Sequence, residues 1–151
     1  MPDARNAAWW HGGLVALLLQ AAAVAAAPHA YITNQGSHDV SVIDLAQQKV
    51  VATVPVGRSP AGVVASSRAG RVFISNPDSR TISVIHMRTQ RLVDTLPAGA
   101  GPVGIDASPD GKLLFVADWY RNRLLLIETT RPGAAAAEAV VGKAPAGVAA
   151  S

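Results

Sequence analysis

From Ala30 onward, apolar and polar residues alternate in short runs of about six, and the period of two in these runs predicts strands rather than helices. In the run 71–76, Val72 and Ile74 fall on one side and Phe73 on the other; in 81–86, Ile82 and Val84 oppose Ser83 and Ile85. Residues 91–96 are more polar, as an outer strand with one flank in water should be. Residues 62–66 are built on Gly62 and Ala65, small enough for backbones to approach closely at an innermost position. These four runs predict an antiparallel meander. In the next copy Ser108-Pro109-Asp110-Gly111-Lys112 places Pro where φ near −65° is needed and Gly where φ turns positive, which predicts a tight hairpin turn. Ser67-Arg68-Ala69-Gly70 carries its Gly one place later and predicts a looser one.

The meander repeats. Pro60-Ala61-Gly62-Val63 returns as Pro102-Val103-Gly104-Ile105 and Pro145-Ala146-Gly147-Val148, at offsets of 42 and 43 residues. Tyr31-Ile32-Thr33-Asn34 returns as Phe73-Ile74-Ser75-Asn76 and Phe115-Val116-Ala117-Asp118, each 42 residues on. Val40-Ser41-Val42-Ile43-Asp44 keeps step through Ile82-Ser83-Val84-Ile85-His86 and Leu124-Leu125-Leu126-Ile127-Glu128. A period near 40 residues with strand-like runs in each copy is the mark of a β-propeller blade. The fold class is therefore all-β: four-stranded antiparallel blades, about three of them, after an N-terminal signal helix. Blade 1 is expected at about 30–57, blade 2 at 60–99, blade 3 at 102–142, with an extra innermost strand at 145–151. The alanine-rich run 134–141 stands at an outer-strand position, and a weak strand is expected near 138–141 because alanine is a poor strand former.

Composition adds the setting. Half of the residues are apolar, and alanine, glycine and valine outnumber aromatics, so the core is made of small side chains in thin strands. The absence of cysteine excludes disulfides, thiolate metal sites and a C-x-x-C-H haem attachment. Residues 1–27 hold Arg5, an apolar run at 14–19 and an alanine-rich stretch, which together predict a signal peptide cleaved after Ala25 or Ala26. An uncleaved membrane anchor is the alternative. Either way the body is expected to be periplasmic or secreted, touching membrane only through the leader. Beyond the leader 12 basic and 9 acidic residues leave a net charge of +3. They are scattered singly, without the clustered cations and stacking aromatics of a nucleic-acid surface, so no nucleic acid is expected.

Tyr31-Ile32-Thr33-Asn34, Val40-Ser41-Val42-Ile43-Asp44, Val51-Ala52-Thr53-Val54-Pro55-Val56-Gly57, Pro60-Ala61-Gly62-Val63 and Ser108-Pro109-Asp110-Gly111-Lys112 together resemble the YVTN-type β-propeller repeat family, over about residues 30–151. The resemblance implies an exported bacterial propeller, with some relatives associated with periplasmic quinoprotein oxidation pathways. Its wider superfamily includes the amine dehydrogenase heavy subunit and the cytochrome d1 haem domain. Whole propellers of this kind have about seven blades, and a closed ring needs at least ~4. Three readings account for the difference: a truncated copy of a longer propeller, separate chains that join to close a ring, and an open arc. Two arcs of three blades make six, so a homodimer is the most economical closed form.

In a propeller the loops between second and third strands, and between each outer strand and the next inner one, emerge on one face around the channel mouth. Here they carry His38, Arg58, Arg80, Trp119, Tyr120, Arg121 and Lys143, the candidate face for a ligand or partner. Arg58 and Lys143 are either solvated charges or attract an anion. Trp119 and Tyr120 either cover a blade edge or form a binding platform. Asn34, Asn76 and Asp118 end the preceding strands and are expected to cap turns by bonding backbone groups. His29, His38 and His86 occupy three different repeat positions and do not converge by symmetry, so no catalytic or metal residues and no cofactor are expected. The function expected is an exported, non-catalytic binding or scaffold propeller, tied by the resemblance to a quinoprotein oxidation pathway. Its partner is a protein or a small anionic ligand. The other class is a cofactor-carrying or oxidoreductase-type propeller subunit.

Overall fold

The computed structural model describes residues 28–131 and 135–151, so the leader expectations for residues 1–27 lie outside the described residues. The first sheet has β1 (His29–Asn34), β2 (Asp39–Asp44) and β3 (Lys49–Pro55) in that order. The second is β4 (Val63–Ser66), β5 (Arg71–Asn76), β6 (Thr81–His86) and β7 (Arg91–Pro97), and the third is β8 (Pro102–Ala107), β9 (Leu113–Asp118), β10 (Arg123–Glu128) and β11 (Ala135–Val140). Each strand pairs antiparallel with the next in its sheet, so three consecutive meanders form an arc of propeller blades. The register slips at Val42/Ile43, at Val84/Ile85 and at Leu126/Ile127, the same repeat position each time. Such bulges increase local twist and bend the outer strand, which is what a blade radiating from an axis requires.

The alternation anticipated from sequence becomes the packing between blades. Tyr31, Val40, Val42 and Val54 of the first blade meet Val72, Ile74 and Ile85 of the second. Phe73, Ile82, Val84 and Leu96, on the opposite side of the second blade, meet Ile105, Leu114, Val116, Leu125 and Ile127 of the third. A second-strand hydroxyl ties each pair of blades near the axis. Thr33 Oγ1 donates to the Ala61 carbonyl at 2.9 Å, and its equivalent Ser75 Oγ donates to the Val103 carbonyl at 2.6 Å. Gly62 sits so close to this seam that a Cβ there would stand 2.4 Å from the Val103 oxygen, and Gly104 stands in the same relation to the Ala146 oxygen.

Three local expectations are corrected. Residues 145–151 run as irregular chain rather than as an innermost strand. They keep an inner strand's place, with Ala146 against Gly104 and the Ala150 N–H donating to Asp106 Oδ2 at 2.7 Å. A strand is defined by its ladder partner, and no second strand of a fourth blade lies beside this one among the described residues. The outermost strand of the third blade is longer than expected, Ala135–Val140, because pairing with β10 overrides alanine's low preference. Finally, Pro77–Ser79 makes one 3₁₀ turn, where only the leader was expected to be helical; Pro at its first position presets φ and Arg80 closes it in the left-handed region.

Candidate functional site

The loops after β1, β5 and β9 and the links after β3, β7 and β11 lie on one face of the arc, here the loop face; the hairpin turns lie on the opposite, turn face. All seven candidate residues stand on the loop face, and all are exposed. They fall into two groups, with no hydrogen bond or ion pair between the groups among the described residues.

The first group spans the junction of blades one and two. His38 takes a left-handed φ of 60° at the close of its turn, which points Nδ1 at the neighbouring link, where it accepts from the Ser59 N–H at 3.1 Å. Nδ1 thus acts as acceptor, leaving Nε2 to carry the proton of the neutral ring. Arg58 is held by its own N–H, which donates to Ser79 Oγ at 2.7 Å, and by its guanidinium, which donates to the Asp78 carbonyl at 3.2 Å. Ser59 Oγ donates to Asp78 Oδ2 at 2.5 Å. Arg80, at φ 59°, contributes its carbonyl to the Ala98 N–H and leaves its side chain in solvent. Ser59 and Ser79 were not singled out from the sequence. Their only signal is that small polar residues occupy both the link and the loop facing it.

The second group belongs to the third blade. Asp118, fully buried, accepts from the N–H groups of Ala100, Gly101 and Arg121, at 2.8, 3.1 and 3.3 Å, and so fastens the incoming link to the loop 119–122. The Trp119 N–H donates back to the Gly101 carbonyl at 2.9 Å. The Tyr120 ring lies against Gly101, where a Cβ would come within 2.3 Å of Tyr120 Cδ2. Tyr120 nonetheless remains 68% exposed and Trp119 41%, so two large aromatics meet water above a rigid base. Arg121 projects into solvent from the same loop. Lys143 is exposed beside Ala144, whose N–H is held by Asn122 Oδ1 at 2.9 Å.

The strand-ending polar residues divide by neighbour. Asp118 caps backbone groups as expected. Asn34 instead turns to side chains, and Asn76 does so beside one backbone bond, to the Ile74 carbonyl at 3.4 Å. Asn34 Nδ2 donates to Asp39 Oδ1 and Ser41 Oγ, and Asn76 Nδ2 donates to Ser83 Oγ at 3.0 Å and Thr81 Oγ1 at 3.3 Å. The hydroxyl seven residues on decides this, for the third blade has Leu125 there. On the turn face, Asp44 Oδ1 accepts from the Ala46 and Gln47 N–H groups, and His86 Nδ1 takes the same role for Arg88 and Thr89. The backbone N–H of Gln47, with smaller help from Ala46, holds the Asp44 carboxyl below its ordinary range against the opposing effect of burial. The Ser108 hydroxyl, then the Lys112 N–H, does so for Asp110.

On the loop face four cations stand among three carboxylates. Asp39, Asp78 and Asp118 are each engaged by hydrogen bonds, whereas Arg58, Arg80, Arg121 and Lys143 form no ion pair among the described residues. Arg123 pairs with Glu138. No three His, Asp or Glu side chains gather as a metal site among the described residues, and no helix there is long and apolar enough to cross a membrane.

The family model for YNCE-like β-propellers matches residues 65–151. No curated protein matches the sequence. Among solved structures, the chain is similar to hydrazine synthase of Kuenenia stuttgartiensis, at 29% identity and a TM-score of 0.65 over 69% of this chain and 30% of that one. It is also similar to the dihydro-heme d1 dehydrogenase NirN in complex with DHE, at 19% identity and a TM-score of 0.57 over 65% of this chain and 21% of that one. Apo AztD from Citrobacter koseri matches at 13% identity and a TM-score of 0.60, over 76% of this chain and 32% of that one. The chain therefore spans about a third or less of the length of each of these proteins. The last two likenesses are of fold.

Proposed function

The chain belongs to the YNCE-like β-propeller family, and from that premise we propose that it is an exported, non-catalytic propeller whose loop face binds an anionic small molecule or an acidic patch on a protein partner. The observation that carries the reading is the charge on this face: Arg58, Arg80, Arg121 and Lys143 make no ion pair among the described residues, Arg58 donating to a backbone carbonyl alone, and they outnumber the three carboxylates there, which accept from neutral donors. A local excess of cations at the loop face concentrates counter-ions and steers their approach. Trp119 and Tyr120 supply the apolar contact beside them. The finer assignments belong to the same proposal. The repeats are of the YVTN type, residues 1–27 direct export to the periplasm, and a link to a quinoprotein oxidation pathway supplies the setting.

Trp119 is the sole tryptophan outside residues 1–27, since the other two are Trp9 and Trp10, so in protein that starts after Ala26 its emission reports on this face alone. Titration of the chain with succinate or inorganic phosphate should change Trp119 emission saturably, and the response should weaken as ionic strength rises. Arg58→Glu, Arg121→Glu and Lys143→Glu together should abolish it. A flat titration at low salt would contradict the proposal. N-terminal sequencing of protein recovered from the periplasm tests export, the expected start being just after Ala25 or Ala26.

Assembly is a further part of the proposal. Among the described residues β1 pairs only with β2 and leaves its other edge unpaired, while residues 145–151 occupy an inner-strand place beside the third blade. The repeat register would pair Val148 of one copy with Ile32 of another, as Val63 pairs with Ile74. Two copies would then form a six-bladed ring. Sedimentation should give a dimer that Pro145–Ser151 deletion abolishes, and a monodisperse monomer of the full chain would contradict it. The cofactor-carrying reading draws on the likeness to NirN, which at 19% identity is a likeness of fold, and no feature of the loop face favours it.

A further inference from the structure

A cleft of about 350 Å³ lies between the second and third blades on the turn face, away from every residue of the loop-face reading. That volume is within the range of small-molecule sites. The cleft exists because of what the repeat changes between junctions. At the first junction, Met87 packs against the core and Gln90 Nε2 donates to the Tyr31 hydroxyl at 3.1 Å, closing the equivalent space. One repeat later, Thr129 stands in Met87's place and Phe73, where Tyr31 stood, has no hydroxyl to draw a side chain across.

The wall from the second blade carries opposite charges held apart. Phe73, Val84 and Asp94 are direct partners across β5, β6 and β7, so their side chains share one side of the sheet. Arg71, two residues before Phe73, shares it too. Two residues along one strand and two strands across put the Arg71 and Asp94 Cα atoms about 12 Å apart. Neither makes an ion pair among the described residues. Among the described residues the hydrogen bond Asp94 makes is with the adjacent Thr95 N–H, and Arg71 makes none from its side chain. Across the cleft Asp110 and Lys112 pair with each other at 3.7 Å, so their charges are already matched.

We propose that this cleft binds a small zwitterion of the amino-acid type, with its carboxylate on Arg71, its ammonium on Asp94 and its apolar part against Val93. A simple anion would leave Asp94 facing like charge, and a simple cation would do the same to Arg71. A ligand carrying both charges at a few ångströms' separation satisfies the pair at once.

The test titrates the full chain, followed by amide ¹H–¹⁵N shifts, with three probes of one skeleton: L-leucine, 3-methylbutylamine and 4-methylpentanoate. Leucine should shift the amides of Arg71, Asp94, Lys112 and Thr129 saturably, and the amine and the acid should each bind about tenfold more weakly. Arg71→Leu and Asp94→Ala should each weaken leucine by about tenfold, and Thr129→Met should abolish its binding by refilling the space. Should a variant fail to fold, the comparison of the three probes on the unaltered chain still decides. Absence of saturable leucine shifts at these amides up to its solubility limit would overturn the proposal, as would equal affinity for the amine or the acid.

Discussion

The two blade junctions are built from equivalent positions and yet differ. The first is closed at both ends: Thr33 ties it near the axis, and Met87 with the Tyr31–Gln90 bond fills it on the turn face. The second keeps the axial tie through Ser75 but opens toward the turn face at Thr129. Beyond the third blade the pattern thins again, because Ala117 stands where Thr33 and Ser75 stood and has no hydroxyl to offer the Ala146 carbonyl. A repeat thus fixes where a blade's backbone runs. Single side chains at fixed repeat positions then decide which seams are sealed and which remain free to bind.

The largest effect should come from the axial glycines. Gly62→Val drives a Cβ into the Val103 carbonyl, which Ser75 Oγ holds within β8, and should cost about 3 kcal/mol in urea unfolding. Gly104→Val meets the Ala146 carbonyl of the unpaired tail, which can move aside, so about 1 kcal/mol is expected. Equal losses would show that the tail is seated as firmly as a strand. Next comes the comparison of caps. Asp118→Ala strands three N–H groups and should destabilise by about 2–3 kcal/mol, against about 1 kcal/mol for Asn76→Ala, whose partners Thr81 and Ser83 lose only a donor, Ser83 Oγ still accepting from the Gly57 N–H.

The architecture was legible in the sequence because three independent anchors keep step, and alternation assigns Ile74 and Phe73 to opposite seams. The tail was not, because Pro145-Ala146-Gly147-Val148 carries the pattern of an inner strand without the neighbour that would make it one. All seven candidate residues could be placed on one face from repeat position alone. What lay beyond reach were contacts that cross between blades, such as Ser59 with Asp78 and His38, which no periodicity within a blade encodes.

Smaller effects sharpen the contrast further. Ser75→Ala removes the axial bond to Val103 together with the acceptor of the Gly62 N–H and should cost about 1–2 kcal/mol, while Ala117→Ser should add a bond to Ala146 and slow hydrogen exchange in residues 146–150. Asp44 and Asp110, whose carboxyls are held below the ordinary 3.8, set the weakest effect. A lowered folded-state value makes their stabilisation fully present above about 3.8, and it is lost as pH falls through those lower values. Thermal melts should therefore be level in this respect above that point and decline below it, with the decline shallower in Asp44→Asn and Asp110→Asn.

The most direct measurement of the central claim is an amide-shift map of the full chain titrated with succinate at low ionic strength. Shifts confined to the loop face, at Arg58, Arg80, residues 119–121 and Lys143, with the turn-face hairpins at 67–70 and 108–112 unmoved, are what the excess of cations there predicts. Shifts spread evenly over both faces, or centred on the turn face, would contradict a binding role for the loop face.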